Sequence, residues 1–307
     1  MKKNIFYSLL LACVAMSFSA CSEDELSSES VITSDSGNNS TKTAFDKWLT
    51  VNYLQPYNIE IKYRYEYNET DKDFYTVPAD YNQSVELAHI VKYTCVEAYN
   101  EVGSVEFTRR YFPKMFFLIG EFEYKNNGTM ILGTAESGKK ILLTGVNNLD
   151  QHKNNLNDLN ELYLKTIHHE FTHILNQTKD YSSAFQLITS TGYVADSWSV
   201  PEYASGYLQR GFITAYSQHS HGEDFAEMLS TYITNTPEQW EAWMEEAAGT
   251  PDDPKSGRDL IEAKLNMVRS YMKNSWNIDI DKLRTSVLRR EYDVVADKID
   301  LSDLTIK

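Results

Sequence analysis

Seven histidines occur in 307 residues, and three of them crowd into "KTIHHEFTHILNQ", residues 165–177. His169 and His173 lie one helical turn apart if this stretch is a helix, so both rings leave the same face and can grip one ion. Glu170 sits beside that face, placed to handle a water at the ion rather than the ion itself. Leu164, Ile167, Phe171 and Ile174 recur at helical spacing and predict an amphipathic helix from about Asn157 to Gln177. His168 falls on the apolar stripe and reads as a packed histidine, not a ligand.

Two helical histidines leave a catalytic zinc one protein ligand short. The donor segment is "YSQHSHGEDFAEMLSTYI", residues 216–233, with helical periodicity from Glu223 onward. Glu223 and Glu227 share one face of that helix. One can bind the ion while the other accepts the N–H of a ligating imidazole and fixes its tautomer. His219 and His221, read as a loop before the helix, compete for the same role. Glu223, in the first turn, is nearer the entry loop; Glu227, one turn deeper, suits orienting His169 or His173 from behind.

The remainder of the chain must position these groups. "YNIEIKYRYEYN" (57–68) alternates as a half-buried strand. "SVELAHIVKYTCVEAYNEV" (84–102) has helical spacing. "KMFFLIGEFEY" (114–124) and "KKILLTGV" (139–146) read as strands, with "GTAESG" (133–138) as a turn between them. Helices and loops follow from Ser182, including residues 256–274 and 281–299. This segregation predicts an α+β fold. Cys95 reads as a small buried hydrophobe.

The first residues, "MKKNIFYSLLLACVAMSFSAC", combine two lysines, a short apolar run and small residues before Cys21. They predict an export leader over 1–20, cleaved so that Cys21 carries lipid. Residues 21–43, rich in Ser, Asn and Thr after "SEDE", read as a flexible tether, and 44–307 as the catalytic domain, with the sheet and active helix in 44–177 and a helical part in 178–307. The formal net charge is −15, and the leader contributes only positive charge, so the body is more acidic still. Such a surface repels phosphate backbones and excludes nucleic acid as a partner class.

"HEFTH" followed by a helix bearing Glu223 and Glu227 resembles the gluzincin metallopeptidases. The spacing of Tyr216, Glu223 and Glu227 is similar to the metal segment of anthrax lethal factor. Across most of residues 44–235, "FDKWL", "RRYFPK", "LGTAESGKKILL" and "EDFAEMLS" resemble the substrate import-associated zinc metallohydrolase lipoproteins of Bacteroidetes. The resemblance implies a zincin-like domain with one Zn2+ held by His169, His173 and Glu223. It implies Glu170 as proton carrier, Tyr216 as oxyanion donor, and a sheet edge that pairs with an extended peptide, for which "KKILLTGV" is the candidate. It also implies an outer-membrane lipoprotein, exposed at the surface beside an importer, acting on peptide or protein. The alternative is a lipoprotein that captures peptide or glycan for the importer and keeps a vestigial zinc site.

Overall fold

A computed structural model describes residues 42–306, except 68–69, 71–73, 125–129, 132 and 137–139. The leader, Cys21 and nearly all of the tether lie outside the described residues. Residues 43–307 form one compact unit, and the fold is α+β, mostly helical around a small sheet.

Helix α1 (Ala44–Leu49) begins at Thr43, whose side chain accepts from the Asp46 N–H while Asp46 accepts from the Thr43 N–H. This reciprocal cap satisfies two amides that the helix itself leaves unpaired. A π-turn (Thr50–Leu54) and a last turn (Gln55–Tyr57) continue it until Asn58 adopts a left-handed conformation. That ending corrects the strand predicted over 57–68. Pro56 is welcome in the first turn of a helical segment, so Tyr57 is helical, and among the described residues of this stretch only β1 (Glu60–Lys62) is strand.

Helix α2 (Tyr81–Val91) runs on through a π-turn (Lys92–Val96) to Glu97–Val102, and α3 (Val105–Tyr111) follows. Strand β2 (Met115–Leu118) comes next, then a short ladder of β3 (Glu123–Tyr124) with β4 (Met130–Ile131), then β5 (Gly133–Glu136) and β6 (Lys140–Leu143). The main sheet has the order β1-β2-β6-β5, parallel except for the antiparallel pair β5–β6. Side chains alternate across it: Phe116, Leu118, Ile141 and Leu143 join the main core, whereas Phe117, Ile119 and Leu142 cluster separately.

Two expectations fail here. "GTAESG" is not simply a turn, because pairing with β6 draws Gly133–Glu136 into strand despite the turn-like composition. "KKILLTGV" is not the edge: β6 lies between β2 and β5, and β5 is the terminal strand on that side, as β1 is on the other.

Helix α4 (Lys165–Thr178) carries the His-Glu-x-x-His residues and is continuous upstream with Leu156–Leu159 and a π-turn, Asn160–Leu164. Ile167, Phe171, Ile174 and Leu175 are buried along it. Helix α5 (His221–Thr234) packs against α4 and is buried at every position from Asp224 to Thr234. It starts at His221, two residues earlier than predicted, because the Ser220 side chain accepts from the Glu223 N–H and caps it there. Helices α6 (Pro237–Ala248), α7 (Gly257–Trp276) and α8 (Ile280–Val295) complete the unit, the last two also packing on α5. No helix among the described residues is long and apolar enough to cross a membrane.

Candidate metal centre

One turn separates His169 from His173 on α4, and the facing end of α5 presents Glu223. The three side chains converge: His169 Nε2 lies 3.0 Å from His173 Nε2 and 2.9 Å from Glu223 Oε2, and His173 Nε2 lies 3.2 Å from the same oxygen. Among the described residues this is the one group of ligand-type side chains close enough to share an ion.

The second nitrogen of His169 fixes what the first can do. Its Nδ1 lies 2.8 Å from Glu227 Oε1. A carboxylate only accepts, so Nδ1 carries a proton toward Glu227, which leaves Nε2 as the nitrogen whose proton an ion would displace. Glu227 is itself held by Lys165 Nζ and by the Thr214 hydroxyl, each 2.7 Å from Oε2.

The charge balance agrees with a cation site. Burial opposes a positive charge on His169, but hydrogen bonds to Glu223 and Glu227 and the negative charges of Glu227 and Glu170 outweigh it, raising its pKa to about 10. Burial likewise opposes the charge on Glu223, yet its bonds to His169 and His173 hold the carboxyl well below the usual range. Burial also opposes the charge on Glu227, and the Lys165 charge and the His169 bond overcome it. A cluster that draws a proton this strongly draws a divalent cation by the same field.

The donor set fits zinc. Bonds of ~2.0–2.1 Å in a tetrahedral shell place neighbouring donor atoms ~3.3 Å apart, close to the separations found. Two imidazoles and one carboxylate also leave one position of four for solvent or substrate, the ligand count of a catalytic rather than a closed structural site.

Tyr216 lies on a short 3-10 turn (Tyr216–Gln218), its ring centre 6.1 Å from that of His169. Burial, the charges of Glu223, Glu227 and Glu170, and a hydrogen bond with Glu223 push its pKa upward, so the phenol keeps its proton at neutral pH and can donate. Glu170 is half-buried on α4, near enough for its charge to act on both His169 and Tyr216.

The competing histidines point elsewhere. His221, the first residue of α5 rather than a loop residue, bonds through Nδ1 to the Tyr181 hydroxyl at 2.7 Å. His219 faces Asp196, at 3.4 Å. His168 is fully buried between the Tyr99 hydroxyl, 3.2 Å from Nδ1, and Cys95 Sγ, 3.7 Å from Nε2. Burial depresses its pKa to about 3 and lifts that of Cys95 to about 12, so both are uncharged packing residues.

Lys165 and Thr214 escape the sequence reading. Lys165 had a signal, since it stands one turn before His169 on the same face; Thr214 had none, because only the tertiary fold brings it to Glu227.

Residues 38–281 match the family model described as "Putative zinc-binding metallo-peptidase". The chain is also similar to a crystal structure of "a putative zinc-binding metallo-peptidase" from Bacteroides caccae. The two are 39% identical over 88% of this chain and 98% of that one, with a TM-score of 0.72. Comparison with curated proteins gave no match.

Proposed function

Because the chain belongs to the "Putative zinc-binding metallo-peptidase" family, we propose that it hydrolyses peptide bonds at a single zinc ion held by His169, His173 and Glu223. The observation that carries this reading is the convergence of His169 Nε2, His173 Nε2 and Glu223 Oε2 within 2.9–3.2 Å of one another, with the outer nitrogen of His169 fixed by Glu227.

Zinc, when bound, polarises a carbonyl and lowers the pKa of water. The protein's own groups do the rest. Glu170 accepts the proton of the attacking water and returns it to the leaving amine, so that no charged amide anion has to depart. The Tyr216 hydroxyl, kept protonated, donates to the substrate oxygen as negative charge grows on it. Glu227, clamped by Lys165 and Thr214, holds the His169 ring in one orientation. An extended peptide adds to the outer edge of β5, the terminal strand that contacts α4.

The proposal extends to location, resting on the leader, on Cys21 and on the family resemblance. The protein is lipid-anchored at the outer membrane, facing outward, and delivers peptide fragments to an importer. Loss of membrane association in Cys21→Ala tests the anchor.

The activity is tested with the purified body of the protein. It should carry one zinc and cleave a denatured protein mixture, a chelator should stop the cleavage, and added zinc should restore it. Folded protein that takes up no zinc would sink the reading. Zinc uptake without cleavage would favour peptide or glycan capture.

A further inference from the structure

Thr214, Tyr216 and Glu223 all belong to one stretch of chain, and both ends of that stretch meet on a single buried side chain. Lys264 of α7 has no exposed surface. Its Nζ donates to the Gly211 carbonyl at 2.7 Å and pairs with Asp224 Oδ2 at 2.6 Å. The ammonium also lies 3.9 Å from the centre of the Phe212 ring. Asp224, equally buried, directly follows Glu223 in the first turn of α5 and accepts from the Tyr193 hydroxyl at 3.0 Å. Gly211 has φ +86°, and a Cβ there would come within 2.7 Å of Leu260 on α7, so the chain passes α7 at a distance only glycine permits.

An ion pair of this kind is a poor way to gain stability. Removing two charges from water costs more than an exposed pair ever returns, and uncharged replacements of both partners are often neutral or better. Asp224 Oδ1 moreover lacks a hydrogen-bond partner among the described residues. What the pair does supply is a fixed relation between two backbone points, Gly211 and the first turn of α5.

We propose that Lys264 is a positioning residue for the metal centre: by bonding both ends of residues 211–224 it sets Tyr216 and Glu223 against His169 and His173. This rests on the zinc-site reading proposed above. Glu223 Oε2 stands 2.9 and 3.2 Å from the two imidazoles, so a small rotation of the first turn of α5 spoils two ligand distances at once. No charge of Lys264 need reach the site, since it acts through the backbone it holds.

The test separates position from stability. Lys264→Met leaves Asp224 buried without its counter-ion and should lower the melting temperature. Lys264→Met with Asp224→Asn removes both charges and should recover most of that loss. Zinc affinity, measured by competition with a chromogenic chelator, should stay about tenfold to a hundredfold weaker than wild type in the double variant, the size of effect seen when groups that orient ligands are lost. A double variant that binds zinc as wild type does would overturn the role. Should neither fold, Asp224→Asn alone, which keeps Lys264 on the Gly211 carbonyl but weakens its hold on the first turn of α5, carries the test by the same readout: weaker zinc binding supports the role and wild-type binding overturns it. Wild-type protein that takes up no zinc would overturn the metal-site reading and this role with it.

Discussion

The candidate metal centre has two halves built on different principles. The upstream half is a single helix: His169, Glu170 and His173 keep their mutual geometry because the α-helical repeat does, and Lys165 joins them from the turn before. The downstream half is assembled. Thr214 and Tyr216 come from a loop, Glu223 from a helix start, and their placement depends on the Ser220 cap and the buried bonds of Lys264. A helix face repeats its geometry wherever it packs, whereas a loop-and-helix-end constellation is only as well placed as the groups that hold its ends. The upstream half should therefore keep its backbone geometry when contacts elsewhere are cut, and the downstream half should not.

Substitutions in the two halves should differ in what they abolish. The largest effect is expected from Glu223→Ala, which should lose zinc outright in metal analysis and leave the imidazole pair unable to retain the ion. If His221→Ala strips the metal and Glu223→Ala does not, the downstream half has been assigned to the wrong residue. Glu170→Gln should keep the metal yet lower turnover by at least about a thousandfold, because it removes a proton carrier and no ligand; metal loss in that variant would make Glu170 a ligand. Tyr216→Phe should keep zinc and substrate affinity and slow kcat about a hundredfold, the usual consequence of losing one oxyanion donor. Glu227→Ala should weaken zinc binding by about tenfold to a hundredfold without abolishing it, by releasing the Nδ1 side of His169.

The smallest effect on the metal site is expected outside both halves. Glu291 on α8 is fully buried with Asn160 as its hydrogen-bond partner, and burial raises its pKa to about 8. The folded protein thus holds a proton there that the unfolded chain releases near pH 4.5. The resulting stabilisation is fully present below that pH and is lost as pH rises through about 8. Glu291→Gln should leave stability at pH 5 almost unchanged and add about 2–4 kcal/mol at pH 9, with zinc affinity unaltered. Thermal melts across this range decide it.

The same contrast explains which features are legible in the sequence. His169, Glu170 and His173 stand out because their relation is local and periodic, and Glu223 with Glu227 for the same reason. The core stripe of α4 and the buried state of His168 and Cys95 also follow from side-chain pattern. The mismatches fall where pairing or tertiary contact overrides local chemistry. Gly133–Glu136 has the composition of a turn and becomes strand only because β6 supplies hydrogen-bond partners. Strand β6 has the composition of any apolar strand, and nothing local says whether a second neighbour covers it. Thr214 and Lys264 stand among residues of no distinctive pattern, and their roles exist only once distant segments meet.

The π-turn ahead of α4 bears on insertions and deletions. Asn160–Leu164 holds one residue more than an α-helical turn uses. Its upstream end is anchored, with the Asn160 amide donating at 3.0 Å to both the Thr234 carbonyl and Glu291. Deleting one residue in this turn would let the backbone heal as ordinary α-helix with no hydrogen bond lost. Because the five residues of the π-turn complete about the same rotation as four of an α-helix, everything downstream would keep its orientation relative to that anchor, and His169 and His173 would still face Glu223. A single-codon deletion within this turn should therefore be better tolerated than one between His169 and His173, which breaks the one-turn spacing of the two imidazoles.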